Sequence, residues 1–361
     1  MKTRVAIIGT VGVPANYGGY ETMVDNMLDY APDDIEYTVY CSKPAYKEKL
    51  KEYKGAKLKY FPFKANGAQA LIYDALCTFH AWFHCDVILA LGNSGGTFLY
   101  PILRLFKKQF IIHNYDGHET TRNKWGFFVK MLMSRIRKNT IKYSSVHIAD
   151  NDAIAALLKQ NYNIVPVTIE YGGDNVFPVK NDDRLKDVYG LNPQMYYFNV
   201  ARIEPENNIH LMLEAFSLMP EKTLVLVGNW HKNSYGEDLL KKYEKCGNIK
   251  MLNPIYEPKE INLLRSNCKL YIHPHSVGGT NPSLVEAMNL GLPIVAYDVI
   301  YNRVTTEESA FYFSDAASLK NVIETREIDF HTVALKMKEI ADRRYRWQII
   351  SEKYCNLYKR K

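Results

Sequence analysis

Short runs of β-branched and aromatic residues alternate with helical patterns along the whole chain, and the alternation begins afresh near residue 196. Strand runs this apolar are buried on both faces, and parallel neighbours need a helical crossover, so the pattern prescribes α/β layers around parallel sheets. In the first half the strands are Val5–Ile8, Tyr37–Cys41, Leu58–Phe61, Val87–Ala90, Phe110–His113, Val146–Ala149 and Val167–Glu170. In the second they are Tyr196–Val200, Thr223–Val227, Ile249–Leu252, Leu270–His273 and Pro293–Ala296. A chain of 361 residues exceeds one ordinary core, which makes each run a domain. The polar stretch Pro178–Pro193 reads as the linker, so the domains are expected at 1–178 and 179–340. Residues 341–361, rich in aromatics, are expected to form a helix that packs back toward the N-terminal domain.

Composition narrows the class. With 47% hydrophobic and 24% charged residues the chain is globular rather than disordered. No run of about 18 apolar residues exists, and the apolar stretch after Arg4 stops at Gly9, which argues against a membrane span or a signal peptide. Six scattered cysteines without a Cys-x-x-Cys pair suit a reducing cytoplasm and neither a disulfide framework nor a zinc site. The net charge of +7 is concentrated: Thr120–Ala149 holds no acidic residue but contains Arg122, Lys124, Lys130, Arg135, Arg137, Lys138 and Lys142. This basic amphipathic segment, 122–142, suits an anionic membrane surface; nucleic acid and a solvated helix on the sheet are the competing readings.

Ligands of open α/β sheets bind beyond the carboxyl ends of the strands. After the first strand, Gly9 to Thr22 carries Gly9, Gly12, Gly18 and Gly19 ahead of a helix, without the Gly-x-Gly-x-x-Gly fingerprint or a P-loop lysine. His113-Asn114-Tyr115-Asp116-Gly117-His118-Glu119 groups two imidazoles and two carboxylates after another strand, suited to sugar binding or proton transfer. His80 and His84 lack the glutamate of a zinc site and read as a packed helix face. Arg202, after Tyr196–Val200, offers a donor fork for phosphate oxygens unless Glu204 or Glu206 pairs with it. Gly228 before Asn229 would leave room for a flat base or a sugar. Gly278-Gly279-Thr280 leads into Asn281, a good N-cap, and Pro282, a good first helical residue, so a helix N-terminus opens behind a glycine turn as an anion cradle. Glu286 lies one turn further in, placed to accept hydrogen bonds from ribose hydroxyls.

Together these strings resemble a GT-B glycosyltransferase of the family 4 type. Gly12-Val13-Pro14-Ala15-Asn16-Tyr17-Gly18-Gly19-Tyr20-Glu21-Thr22, Asp116-Gly117 with Glu119, Arg122, Lys124 and Trp125, Ala201–Asn208 and His275–Ser283 are similar to the rhamnosyltransferase-like branch with a DUF1972-type N-terminal half. The resemblance implies two Rossmann-like domains facing a central cleft, a nucleotide-sugar donor held by the second and a saccharide acceptor, lipid-linked, held by the first. On the donor side it implies Gly18, Gly19, Arg202, Asn229, His275, Gly278, Gly279, Thr280, Asn281 and Glu286; on the acceptor side, Tyr20, Glu21, His113 and Asp116. Two positions depart from the wider family: Gly278 replaces the first of two glutamates, and Asn207 replaces a lysine. His118 also stands where an apolar residue is common.

The chemistry so implied is sugar transfer with retention, in bacterial surface polysaccharide synthesis. Donors aimed at the departing phosphate lower the barrier; Arg202 and the N–H groups of Gly279 and Thr280 are the candidates, and Asp116, then His118 and Glu119, the candidates for handling the acceptor proton. No metal or other cofactor is expected, because donors placed in this way at the departing phosphate require none. No nucleic-acid partner is expected, and the protein is expected in the cytoplasm, peripheral on the inner face of the membrane. A UDP-sugar 2-epimerase-like enzyme and a non-catalytic sugar-nucleotide-binding subunit are the alternatives.

Overall fold

A computed structural model describes residues 2–15, 18–92, 95–115, 127–325 and 329–360. Two units are formed, Met1–Glu170 with Trp347–Lys361, and Tyr171–Arg346.

In the first unit the apolar runs become strands β1 (Thr3–Ile8), β2 (Ile35–Ser42), β3 (Glu52–Tyr53), β4 (Ala56–Phe61), β5 (Val87–Leu91), β6 (Phe110–Tyr115), β7 (Val146–Ala149) and β8 (Val167–Thr168). They pair in the order β3-β4-β2-β1-β5-β6-β7-β8, parallel except for β3 against β4. Helices α1 (Gly19–Leu28), α2 (Ala70–His84), α3 (Tyr100–Leu103), α4 (Phe127–Tyr143) and α5 (Asp152–Tyr162) connect them. Val87–Leu91 is buried at every position, as a central parallel strand must be.

The second unit holds α6 (Asp183–Asp187), β9 (Tyr196–Val200), α7 (Ile209–Ser217), β10 (Thr223–Val227), α8 (Ser234–Tyr243), β11 (Ile249–Leu252), α9 (Pro258–Ser266), β12 (Leu270–His273), α10 (Pro282–Asn289), β13 (Ile294–Tyr297), α11 (Ile300–Thr305), β14 (Phe311–Phe313), α12 (Ala316–Glu324) and α13 (Phe330–Arg344). Its strands pair in the order β11-β10-β9-β12-β13-β14, all parallel. Ile209, Met212, Leu213 and Phe216 of α7 pack with Leu224, Leu226 and Ile272 in one core. The three-residue β14 is too short to stand out by periodicity and is recognised only through its pairing with β13.

The boundary differs from the expected one. Division falls after Glu170, and the supposed linker 178–193 belongs to the second unit. Asp182 caps α6 by accepting from the Arg184 N–H, Leu185 is fully buried, and the Val179 carbonyl accepts from Asn267 Nδ2 at 3.0 Å. Polarity there reflects capping and ion pairing of Arg184 with Asp182 and Glu260 rather than a free connector.

The C-terminal stretch also divides within the expected 341–361. Residues up to Arg344 complete α13, while α14 (Trp347–Tyr358) belongs to the first unit. Trp347, Ile350, Tyr354, Leu357 and Tyr358 are buried, and Tyr37 meets Tyr358 edge to face at 6.1 Å. The Tyr354 hydroxyl accepts from Asn114 Nδ2 at 2.7 Å, and Lys353 pairs with Glu170 at 2.6 Å. The aromatic residues that marked this helix thus serve as its anchor. Tyr354→Phe would leave the buried Asn114 amide without this acceptor. It should cost about 1–3 kcal/mol, read as a lower denaturant midpoint in tryptophan emission; an unchanged midpoint would show that this hydrogen bond does not hold α14.

Candidate functional site

Each sheet reverses its winding at one place. In the second unit β9 is followed outward by β10 and β11 on one side and flanked by β12 on the other, so the loops after β9 and β12 lie at the switch point where ligands of open α/β sheets bind. These two loops carry Arg202 and the His275–Asn281 turn. They are tied together by backbone-directed hydrogen bonds: Asn208 Nδ2 donates to the Pro274 carbonyl at 3.0 Å, and Ser276 Oγ to the Glu206 carbonyl at 2.8 Å.

Arg202 is exposed, and no ion pair among the described residues involves it. Glu204, its nearest expected partner, pairs instead with Lys232 at 3.1 Å. Asn207, in the place of the family lysine, is buried and donates through Nδ2 to the Arg202 carbonyl at 2.7 Å. The amide therefore braces the arginine's backbone instead of adding a charge.

The glycine turn enters α10 as the sequence requires. Asn281 caps the helix, its Oδ1 accepting from the Ser283 N–H at 3.1 Å and from Ser283 Oγ at 2.9 Å, with Pro282 in the first turn. Gly278 has φ +118° with open space around a built Cβ. The missing glutamate is thus a matter of backbone: an L side chain there would be strained although room exists for it. Thr280 is buried, while Gly279 is partly exposed.

Glu286 is held from two sides. Its Oε2 pairs with Arg265 Nη2 at 2.8 Å and its Oε1 accepts from Asn175 Nδ2 at 3.0 Å. Arg265, from α9, is buried and also donates to Asn262 Oδ1 at 3.3 Å. Neither Arg265 nor Asn175 was legible as part of this group, because nothing in their local sequence distinguishes them. Each engaged carboxylate oxygen retains a second lone pair for a hydroxyl.

His275 is only 7% exposed and stacks on fully buried His273, ring centroids 4.5 Å apart. Burial, with the Arg202 charge adding to it, pushes the His275 imidazole down to about 3. His273 is driven the same way by burial and by His275. Two neutral stacked imidazoles therefore underlie the turn. Asn229 is exposed. The space expected beside Gly228 is filled: a Cβ there would lie 2.5 Å from Ile203 Cδ1 and 2.7 Å from the Ala201 carbonyl, so this glycine admits the β9 loop and not a ligand.

In the first unit the reversal lies between β1 and β5, which are followed by the described residues 9–15 and 18, and 92 and 95–97. Glu21 is 7% exposed, and its Oε1 accepts from the Val11 N–H at 2.7 Å. Its Oε2 would lie 2.0 Å from a Cβ at Gly18, which has φ +132°. Glu21 braces the glycine loop from within, which explains its glycine neighbour better than an acceptor contact does. Asp25 braces the same loop, accepting from the Ala15 N–H at 2.8 Å. Tyr20 is partly exposed, its ring beside Gly92 at the end of β5, and Gly19 is exposed. The β5 loop, which the sequence reading did not single out, is fastened by Asp74 Oδ2, accepting from the Gly95 N–H at 2.6 Å.

His113 is 1% exposed, and burial beside His147 pushes its imidazole down to about 3. It lies in the sheet layer rather than on a binding surface. Asp116, His118 and Glu119 lie outside the described residues, as do Arg122, Lys124 and Trp125. Among the described residues no group of three or more His, Cys, Asp or Glu could hold a metal ion.

Residues 2–174 match the family described as Domain of unknown function (DUF1972), and residues 181–322 the family described as Glycosyl transferases group 1. The chain is accordingly a glycosyltransferase of GT-B fold, a DUF1972 domain followed by a glycosyl transferases group 1 domain. Among solved structures it is similar to sucrose-phosphate synthase from Thermosynechococcus elongatus, with 17% identity, 99% of each chain covered and a TM-score of 0.82. HepE of Anabaena, solved in complex with UDP-glucose, is 17% identical, with 100% of each chain covered and a TM-score of 0.78. Trehalose-6-phosphate synthase OtsA is 12% identical, with 99% of each chain covered and a TM-score of 0.75. No curated protein sequence matches the chain.

Two expectations follow. Arg265→Ala strands the Glu286 carboxylate and should cost about 3 kcal/mol in denaturant unfolding, while Arg265→Ala with Glu286→Ala should cost less than the two single changes added; strict additivity would show that the pair is not coupled. The depressed imidazole of His275 leaves the folded chain with fewer bound protons than the unfolded chain between about pH 3 and the ordinary histidine value near 6.5. Stability must therefore fall as pH falls through that window. His275→Asn should flatten the acid limb by about 1.4 kcal/mol per pH unit; an unchanged slope of stability against pH would show that His275 takes no part.

Proposed function

We propose that the protein transfers a sugar from a nucleoside-diphosphate donor to a saccharide acceptor. The observation that carries this reading is the unpaired, exposed Arg202, braced by Asn207 and tied through Ser276 and Asn208 to the turn that leads into capped α10. A guanidinium and a helix N-terminus presented from neighbouring loops are suited to a diphosphate. As the bond between sugar and phosphate breaks, negative charge grows on a phosphate oxygen; Arg202 and the N–H groups of Gly279 and Thr280 would stabilise it. Glu286, oriented by Arg265 and Asn175, would accept from ribose hydroxyls. His275, neutral at physiological pH, offers a polar group beneath the sugar without a competing charge.

The acceptor is assigned to the first unit, with Tyr20 at its surface and Asp116 positioning the acceptor hydroxyl or taking its proton. Transfer with retention, rhamnose as the sugar, independence of metal and a lipid-linked acceptor in surface polysaccharide synthesis complete the reading, supported by the motif resemblance. The basic segment 122–142 would keep the protein at an anionic membrane surface. No helix among the described residues is long and apolar enough to cross a membrane.

The test is a thermal-shift panel of dTDP-rhamnose, UDP-glucose, UDP-GlcNAc, UDP-galactose and GDP-mannose, followed by turnover with and without acceptor. One nucleotide sugar should raise the melting temperature by mass action, and Arg202→Ala should weaken its binding about tenfold to a hundredfold. Asp116→Ala should lower turnover by about a hundredfold or more with donor binding kept, and a chelator should leave the rate unchanged. Absence of any donor shift would overturn the donor-site reading; donor binding without transfer would favour the non-catalytic subunit.

A further inference from the structure

The first unit exposes apolar side chains in one region. The turn after α3 leaves Leu105 83% and Phe106 74% exposed, with Ile102 exposed beside them. Trp82 Nε1 of α2 donates to the Lys107 carbonyl of this turn at 3.0 Å, which fixes the turn against α2. Isolated surface apolar residues are ordinary, but Ile102, Leu105 and Phe106, all exposed within one short stretch, mark an interaction surface.

Charge identifies what would cover it. Arg104 of the turn lies over the Tyr143 ring at 5.7 Å, and Lys142 at the end of α4 lies over the same ring at 5.4 Å, so the turn and the basic helix meet at Tyr143. Lys108, Arg135 and Lys138 are exposed as well. From Val87 to Ala149 ten Lys and Arg stand against only two acidic residues, Asp116 and Glu119. That excess of eight is larger than the +7 of the entire chain, so the remainder of the protein is slightly acidic. Phenylalanine and leucine surrounded by lysine and arginine match the two layers of an anionic bilayer, where apolar side chains enter the acyl boundary and cations remain among the headgroups.

We propose that Ile102 at the end of α3, with Leu105 and Phe106 of the turn after it, enters an anionic lipid bilayer, with Arg104, Lys142 and the basic face of α4 on the headgroups. The proposal rests on the peripheral-membrane part of the reading above and adds the inserting element, which lies outside the basic segment 122–142. It makes the protein's membrane attachment dual, apolar and electrostatic, each part weak alone.

The experiment is flotation of the full chain with vesicles of phosphatidylcholine containing 30% phosphatidylglycerol, and with pure phosphatidylcholine as the comparison, at low and at 0.5 M salt. The wild type should float with the anionic vesicles at low salt only. Leu105→Ser with Phe106→Ser changes two exposed side chains and should reduce partitioning at least tenfold; Arg104→Glu with Lys142→Glu should do the same, and Phe106→Trp should keep it. A melting temperature near that of the wild type shows that each variant is folded. A double serine variant that floats as well as the wild type would overturn the proposal while leaving membrane attachment by charge. A wild type that floats with neither vesicle would overturn both, and concentration-dependent dimerisation abolished by the serine variant would assign the surface to a second copy instead. None of these outcomes bears on sugar transfer, which the donor panel tests separately.

Discussion

The pairing of β12 beside β9 is the interaction on which the candidate site of the second unit depends. It joins strands separated by some seventy residues of chain and makes neighbours of two loops whose contents are otherwise unrelated. Once adjacent, the loops are fixed by short side chains directed at backbone carbonyls: Asn207 on Arg202, Asn208 on Pro274, Ser276 on Glu206, and Asn302 on His275 at 2.9 Å. Such bonds satisfy buried carbonyls that the irregular backbone would otherwise leave without partners, and they do so without spending a charge. The charges are thereby left for a ligand.

Bracing from within is repeated in the first unit by different residues. Glu21 and Asp25 turn inward from α1 to hold the N–H groups of Val11 and Ala15, so the glycine loop after β1 is shaped by carboxylates on the helix that follows it. In both units the groups that resemble chemistry by residue type are partly structural, and burial distinguishes them. Glu21 and His113 are buried in supporting layers, whereas Arg202, Gly19 and Asn229 are exposed. The charged pair of Arg265 and Glu286 lies between these extremes, a mostly desolvated arginine holding a carboxylate that is still reachable.

The strand and helix pattern was legible because parallel strands buried on both faces produce apolar runs that no other element requires. Tyr196–Val200, Thr223–Val227, Ile249–Leu252 and Leu270–His273 were each read at the bounds the fold has. The helix start at Pro282 was legible for the same kind of reason, since the Asn-Pro pair is a local cap that needs no tertiary partner. The segment 178–193 reads as a linker because a polar stretch looks alike whether it is free or pinned by Asn267 and Glu260. Arg265 and Asn175 escaped notice because long-range pairs leave no periodic trace. Gly228 was read as open space because a glycine reports that something approaches closely without saying what.

By itself, then, the sequence determined the class of fold, the number of units, the anion-suited turn before α10 and the concentration of positive charge in the first half. These are local properties, set by side-chain periodicity, capping and composition over short stretches. Only the tertiary structure decided which carboxylates are braces, that Gly278 holds a φ of +118°, that Glu286 is held by Arg265, and that Arg104 of the turn after α3 meets α4 at Tyr143. The physical reason is that burial and pairing depend on residues far apart in the chain, and strand order, which brings them together, is a property of the folded sheet.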